Sequence, residues 1–169
     1  LLTQLSNVDV LINIIRAFTD ESIPHIEGSL DIDRDIATTN LELAFSDMAI
    51  IERRLGRIET SMKGAKPPER QSFLREQELL ARVKAELEKD VPIRESILTT
   101  GEARIIANYQ FLTAKPLLIV VNIGEEELPH AESIENKLDS KYSGPKCRLI
   151  TLCGKLEMEL SQLDSNAAE

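Results

Sequence analysis

The stretch "LLIVVNIGEEEL", Leu117 to Leu128, carries an aliphatic, β-branched run into Asn122 and then, three residues on, Glu125. With Pro116 it reads as a strand, Pro116 to Asn122, whose unbroken apolar character marks burial on both faces of a parallel sheet. "VDVLINIIRAF", Val8 to Phe18, has the same character, and "KCRLITLC", Lys146 to Cys153, is a weaker third candidate. Between the last two lies "EEELPHAESIENKLDSKYSG", a helix closed by Gly144 and Pro145. Strand, helix and strand at this spacing form a βαβ unit, so the fold class is α/β with a parallel sheet of about three strands. The acids Glu125 to Glu127 suit the first turn of that helix, where the helix dipole favours negative charge.

Between the first and second strands the pattern changes. From Asp33 to Met62, apolar residues recur at Leu41, Phe45, Met48, Ile51, Leu55, Ile58 and Met62, in the steps of three and four of one helix face. "KGAKPPE", Lys63 to Glu69, breaks the pattern. A second helix, with Phe73, Leu80, Val83 and Leu87 on one face, ends before Pro92. Two long helices joined by a short Pro/Gly loop fold back as an antiparallel hairpin, a coiled-coil-like insertion. The expected domains are residues 1–30 and 96–169 for the sheet part and 31–95 for the hairpin.

Composition narrows the function. The 169 residues carry a net charge of −9, with 42% hydrophobic and only 4% aromatic residues. An acidic chain disfavours nucleic-acid binding by the whole surface but leaves room for a local patch. Such a patch is present: between Arg53 and Arg75 lie seven basic residues (Arg53, Arg54, Arg57, Lys63, Lys66, Arg70, Arg75) against Glu59 and Glu69, a local charge of +5. It marks either a solvated helix end or an electrostatic contact for RNA or another polyanion, and it lacks the aromatics that base stacking requires. Cys147 and Cys153 lie six residues apart in an extended segment, roughly 20 Å. That is too far for a disulfide and suits reduced thiols in a cytoplasmic protein. No apolar run approaches the ~20 residues of a membrane span, and no leader pattern opens the chain.

Catalytic signals are few. His25 and His130 are the only histidines, no C-x-x-C or H-x-x-x-H metal motif is present, and no G-x-x-x-x-G-K-[ST] phosphate loop occurs anywhere. The position of Asn122 is more informative, because ligands of open parallel sheets bind at the carboxyl ends of the strands. "CGK", Cys153 to Lys155, ends the next strand, so two neighbouring loops are expected to meet there. The base-reading loops of GTP-binding proteins have N-K-x-D after one strand and S-A-K after the next; here the corresponding positions read N-I-G-E and C-G-K. Taken alone, N-x-x-E is also an ordinary strand end followed by a turn.

The order of the pieces resembles the YchF family of Obg-like P-loop ATPases, from just after their third nucleotide motif to just after their fifth. His25, Ile26, Glu27 and Gly28 resemble the family's H-V-E-G, and Asp31 to Ile36 its D-P-x-R-D-I. "NLELAFSDMAIIERRL" resembles the start of its helical insertion, "LTAKPLLIVVNIGEEEL" its variant fourth motif, and "CGKLEMELSQLD" its fifth. Ile32 stands where the family has Pro, and Gly154 where it has Ala. The P-loop, switch regions and C-terminal TGS domain of that family are not in this sequence, so the chain reads as part of a longer protein and is expected to be inactive alone.

The resemblance implies an ATP/GTP-binding hydrolase that prefers ATP, uses Mg²⁺ bound outside this chain, and associates with the ribosome or translation. It places Asn122, Ile123, Glu125, Cys153, Gly154 and Lys155 around the base. The chemistry agrees. The aspartate of N-K-x-D accepts from guanine N1–H and N2–H₂, whereas adenine offers an acceptor at N1 and no 2-amino group. Glu125 is one methylene longer and need not take that aim, Ile123 offers apolar surface to a base face, Asn122 suits adenine N6 and N7, and backbone N–H groups near Gly154 are candidate donors. His25 and Glu27 read first as a structural turn. Two other readings stand beside this one: a non-enzymatic helical-hairpin interaction module, and a GTP-preferring Obg-class GTPase, which Glu125 in place of Asp argues against.

Overall fold

A computed structural model of the chain describes residues 2–20, 22 and 28–162. His25 and Glu27 lie outside the described residues. The elements are α1 (Leu2–Leu5), β1 (Leu11–Ala17), α2 (Ile32–Met62), α3 (Pro67–Leu87), α4 (Thr100–Ala107), β2 (Leu117–Ile123), α5 (Ala131–Tyr142), β3 (Cys147–Leu152) and α6 (Gly154–Leu160). Short 3₁₀ turns span Ile93–Glu95, Leu112–Ala114 and Glu125–His130. The chain divides into a sheet unit, Val10–Thr38 with Leu117–Glu169, and a helical unit, Leu1–Asp9 with Thr39–Pro116.

In the sheet unit the three strands are parallel in the order β1-β2-β3. Leu11 pairs in register with Leu117 and Leu117 with Cys147, so residues two apart on each strand share a face. One face, with Leu11, Ile15, Ile119, Val121, Cys147 and Leu149, is buried. The other carries Ile12 and Ile14 at 62% and 68% exposure and Ile150 at 38%. β1 is therefore not the doubly buried strand its composition suggests. Only the central β2 comes close, with Val120 buried between two neighbours on the second face.

The βαβ unit forms as expected, but the segment after β2 begins as a 3₁₀ turn, with Pro129 inside it, before α5 proper starts at Ala131. Proline has no N–H to continue a helical ladder. α5 is stitched to β3 by Glu135, whose carboxylate accepts from the Thr151 backbone N–H at 2.6 Å and its hydroxyl at 3.0 Å. α2 starts at the "DIDRDI" segment: the Asp31 carboxylate accepts from the Arg34 N–H at 3.0 Å, and Asp33 pairs with Lys141 at 2.9 Å and accepts from the Tyr142 hydroxyl. Gly28, just upstream, has φ +72°, a left-handed conformation that side chains with a Cβ disfavour.

In the helical unit α2 and α3 form the antiparallel hairpin. Pro67 and Pro68 do not lie in the loop but occupy the first turn of α3, where a missing N–H costs nothing. The Glu69 carboxylate accepts from the Lys66 N–H at 3.2 Å and closes the cap. Ile51, Ile58, Leu80 and Val83 are wholly buried between the helices. Leu41 and Phe45 are exposed instead, and the buried positions at that end of the unit are Leu43, Ala44 and Asp47.

The helical unit extends past residue 95 to Pro116, beyond the expected boundary. Ile93, Ile106 and Phe111 join the hairpin core, and Tyr109 stacks on Phe111 with ring centroids 5.1 Å apart. α4 carries a Thr99–Glu102 capping box: Glu102 N–H donates to the Thr99 hydroxyl, and Thr99 N–H donates to the Glu102 carboxylate. Among the described residues no helix is long and apolar enough to cross a membrane.

Candidate functional site

The carboxyl ends of β2 and β3 do meet. Asn122, the penultimate residue of β2, pairs in register with Arg16 of β1 and Leu152 of β3. Its Oδ1 accepts from the Gly154 backbone N–H at 2.9 Å, across 32 positions of sequence. Lys155 Nζ donates to Glu125 Oε2 at 3.1 Å, so a second bond joins the same two loops. Bonding to Glu125 raises the Lys155 ammonium above the usual lysine range. Around these contacts opens a cleft of about 440 Å³ whose lining includes Phe18, Asp20, Asn122, Gly124, Glu125 and Lys155.

The expected site residues divide by exposure. Glu125 and Lys155 are exposed, and Asn122 and Gly154 half-buried. Ile123 and Cys153 line the cleft but are only 2% and 4% exposed, and Ile123 shares its strand face with the core residues Val121 and Ile119. Its side chain is anchored inward, so a lysine there would place an ammonium in the core. The Gly154 N–H, a candidate donor to a base, already serves Asn122. A Cβ on Gly154 would lie 3.2 Å from Asn122 Oδ1, so the alanine that the resembling family has there requires the Asn122 amide to give by a few tenths of an ångström.

Sequence reading missed the third wall, Phe18 to Asp20. Arg16 shapes it: Nε donates to the Phe18 carbonyl at 3.0 Å, Nη2 to the Asp20 carbonyl at 3.2 Å, and the guanidinium sits 4.8 Å from the Phe18 ring centroid. Asp20 Oδ1 accepts from the Ser22 N–H at 2.8 Å and from its hydroxyl; those bonds hold the Asp20 carboxyl below its usual range. The available signal was topological: Phe18 follows the carboxyl end of β1, the same edge of the sheet as Asn122. The cleft thus combines an aromatic wall, an amide, a carboxylate and an ammonium, a set suited to a planar heterocycle with hydrogen-bonding edges. Among the described residues no group of three or more His, Cys, Asp or Glu side chains converges as a metal site, so no residue is assigned toward Mg²⁺.

The basic residues lie on the hairpin. Arg53, Arg57, Lys63, Lys66, Arg70 and Arg75 are exposed. Arg54 is different: it forms a two-bond ion pair with Glu76 at 2.8 and 2.7 Å, and the Tyr109 hydroxyl donates to the same carboxylate. That pairing holds Glu76 below its usual range, while burial and the neighbouring carboxylate push Tyr109 up to about 12.

No family model matches the chain. The chain is 32% identical to the Ribosome-binding ATPase YchF of Bacillus subtilis, over 96% of its own length and 44% of that protein's. It is 30% identical to Obg-like ATPase 1 of Caenorhabditis elegans, over 94% of this chain and 40% of that one. Among solved structures, the Schizosaccharomyces pombe YchF GTPase superposes with a TM-score of 0.82 at 28% identity, covering 99% of this chain and 46% of the other. The chain spans less than half the length of these relatives. Sequence and fold align along almost the whole of this chain, which is similar over that length to part of the YchF-type, Obg-like ATPases.

Proposed function

We propose that this chain is the base-binding half of the nucleotide domain, with its helical insertion, of an enzyme that binds and hydrolyses ATP, and GTP less well, on the ribosome in the cytoplasm. The observation that carries the reading is the junction of two strand-end loops, Asn122 to Gly154 and Glu125 to Lys155, beside one cleft. Phe18 supplies apolar surface for a base face, and Asn122, Glu125 and Lys155 supply polar groups for its edges. The chain's own part in the reaction is to bind and orient the base. Phosphate binding and Mg²⁺ belong to a phosphate loop, a motif the 169 residues do not contain. The names of the Bacillus subtilis and Caenorhabditis elegans relatives support the ATPase reading, and the former supports the ribosome.

Replacing Asn122 by alanine removes the bond that holds the Gly154 loop and leaves its N–H unpaired. In the full-length protein that carries this chain, ATP affinity should fall about tenfold, the scale of one lost hydrogen bond. Equilibrium titration of the variant checks this, and unchanged affinity would remove Asn122 from the site.

A further inference from the structure

We propose that Lys155 biases the base selectivity of this cleft toward adenine by pairing with the Glu125 carboxylate. The inference rests on the base-binding reading above and adds a role that neither loop has alone. A carboxylate reads guanine by accepting from two adjacent donors, N1–H and N2–H₂, one at each oxygen, and an ammonium bound to one oxygen competes for its lone pairs and for the direction in which the carboxylate is aimed. Here one oxygen of Glu125 already takes a proton donor from Lys155 Nζ at 3.1 Å. The partners lie 30 positions apart, on the loop after β2 and in the first turn of α6. The Asn122–Gly154 bond, at 2.9 Å, ties the same two loops, so the ion pair closes on a fixed frame.

The pair changes what the cleft presents. A lone carboxylate offers acceptors only. A carboxylate with an ammonium beside it offers an acceptor next to a donor. Adenine has the complementary order on its Watson–Crick edge, an amino donor at N6 beside an acceptor at N1, whereas guanine sets two neighbouring donors against a carboxylate with one oxygen committed. Lys155 thereby turns a guanine-reading acid into a group that tolerates or favours adenine. Side-chain exposures of 62% for Lys155 and 46% for Glu125 make this a graded bias, since exposed ion pairs are weak.

The test is a set of ATP and GTP titrations by calorimetry on the full-length protein that carries this chain, comparing wild type, Lys155→Met, Lys155→Arg, Glu125→Gln and the Lys155→Met/Glu125→Gln double variant. Lys155→Met should move the ratio of GTP to ATP affinity toward GTP by about two- to fivefold, the scale of an exposed ion pair. Lys155→Arg, which preserves the pair, should keep the wild-type ratio. In the Glu125→Gln background Lys155→Met should leave the ratio unmoved. A Lys155→Met variant that weakens both nucleotides by the same factor would overturn the inference, since that is what a purely structural role produces. A shift of equal size in the Glu125→Gln background would also overturn it, because Lys155 would then act on the base without Glu125. Failure of the underlying reading looks different: the wild-type protein binds neither nucleotide, or Asn122→Ala changes neither affinity.

Discussion

Asp47 shows how one side chain can organise a unit. It is wholly buried on α2, yet its carboxylate accepts from the backbone N–H of Leu112 and of Thr113 at 2.8 Å each and from the Thr113 hydroxyl at 2.7 Å. Buried Arg94 donates to the Thr113 carbonyl at 3.2 Å. Together they fix the 3₁₀ turn that leads into β2. Burial raises the Asp47 carboxyl above its ordinary 3.8, while the Thr113 and Leu112 donors and Arg94 pull it back. The folded chain thus holds that proton to higher pH than the unfolded chain does. This contribution to stability is complete below the unfolded value and is lost as pH rises through the folded one. Urea unfolding between pH 4 and pH 7 should therefore show a flatter pH dependence for Asp47→Asn than for wild type. At neutral pH, Asp47→Ala should cost on the order of 3 kcal/mol, because it strands two buried N–H donors. An Asp47→Ala chain as stable as wild type would refute this role. Nothing in the spacing distinguished Asp47 from a surface acid, since its partners lie 65 and 66 positions away.

At the scale of elements, local pattern told the type of each segment better than its surroundings. β2 was expected at Pro116 to Asn122 and runs Leu117–Ile123, and the break between the hairpin helices falls at residues 63–66, around Gly64 and just before the two prolines. Apolar periodicity reports that a segment can be buried, not which neighbour covers it, and so Ile12, Ile14 and Phe45 proved exposed. α4 went unread because its eight residues give too short a period to register. The basic tip was legible as charge, but the removal of Arg54 from it was not, since Glu76 and Tyr109 reach it only once the helices fold together. The exposed basic residues proposed for a polyanion contact are accordingly Arg53, Arg57, Lys63, Lys66, Arg70 and Arg75. Neutralising Arg53, Arg57, Lys63 and Lys66 together should weaken ribosome binding by the full-length protein and flatten its dependence on salt. Arg54→Met should act mainly through stability. Unchanged affinity and salt slope in the quadruple variant, measured by co-sedimentation across a salt series, would detach the tip from ribosome binding.

Over the whole molecule, the α/β class, the parallel sheet and the meeting of two strand-end loops were all present in the order of the pieces, whereas the place of β1 beside β2 was not. The site was legible where it depended on position in a parallel sheet, as with Asn122 and Gly154. Phe18 carried the same positional signal, at the end of β1, and was passed over; the site was hidden where it depended on side-chain reach, as with Asp20 and the Lys155–Glu125 pair. The exposed isoleucines of β1 leave one sheet face apolar and open, the kind of surface that proteins ordinarily cover. The account as a whole stands on the claim that the Asn122–Glu125 loop is a base-recognition loop from which guanine selectivity has been removed. Calorimetric titration of the full-length protein with ATP and with GTP, under identical salt and Mg²⁺, tests it directly. The account predicts ATP binding at least as tight as GTP binding; a clear preference for GTP would contradict it.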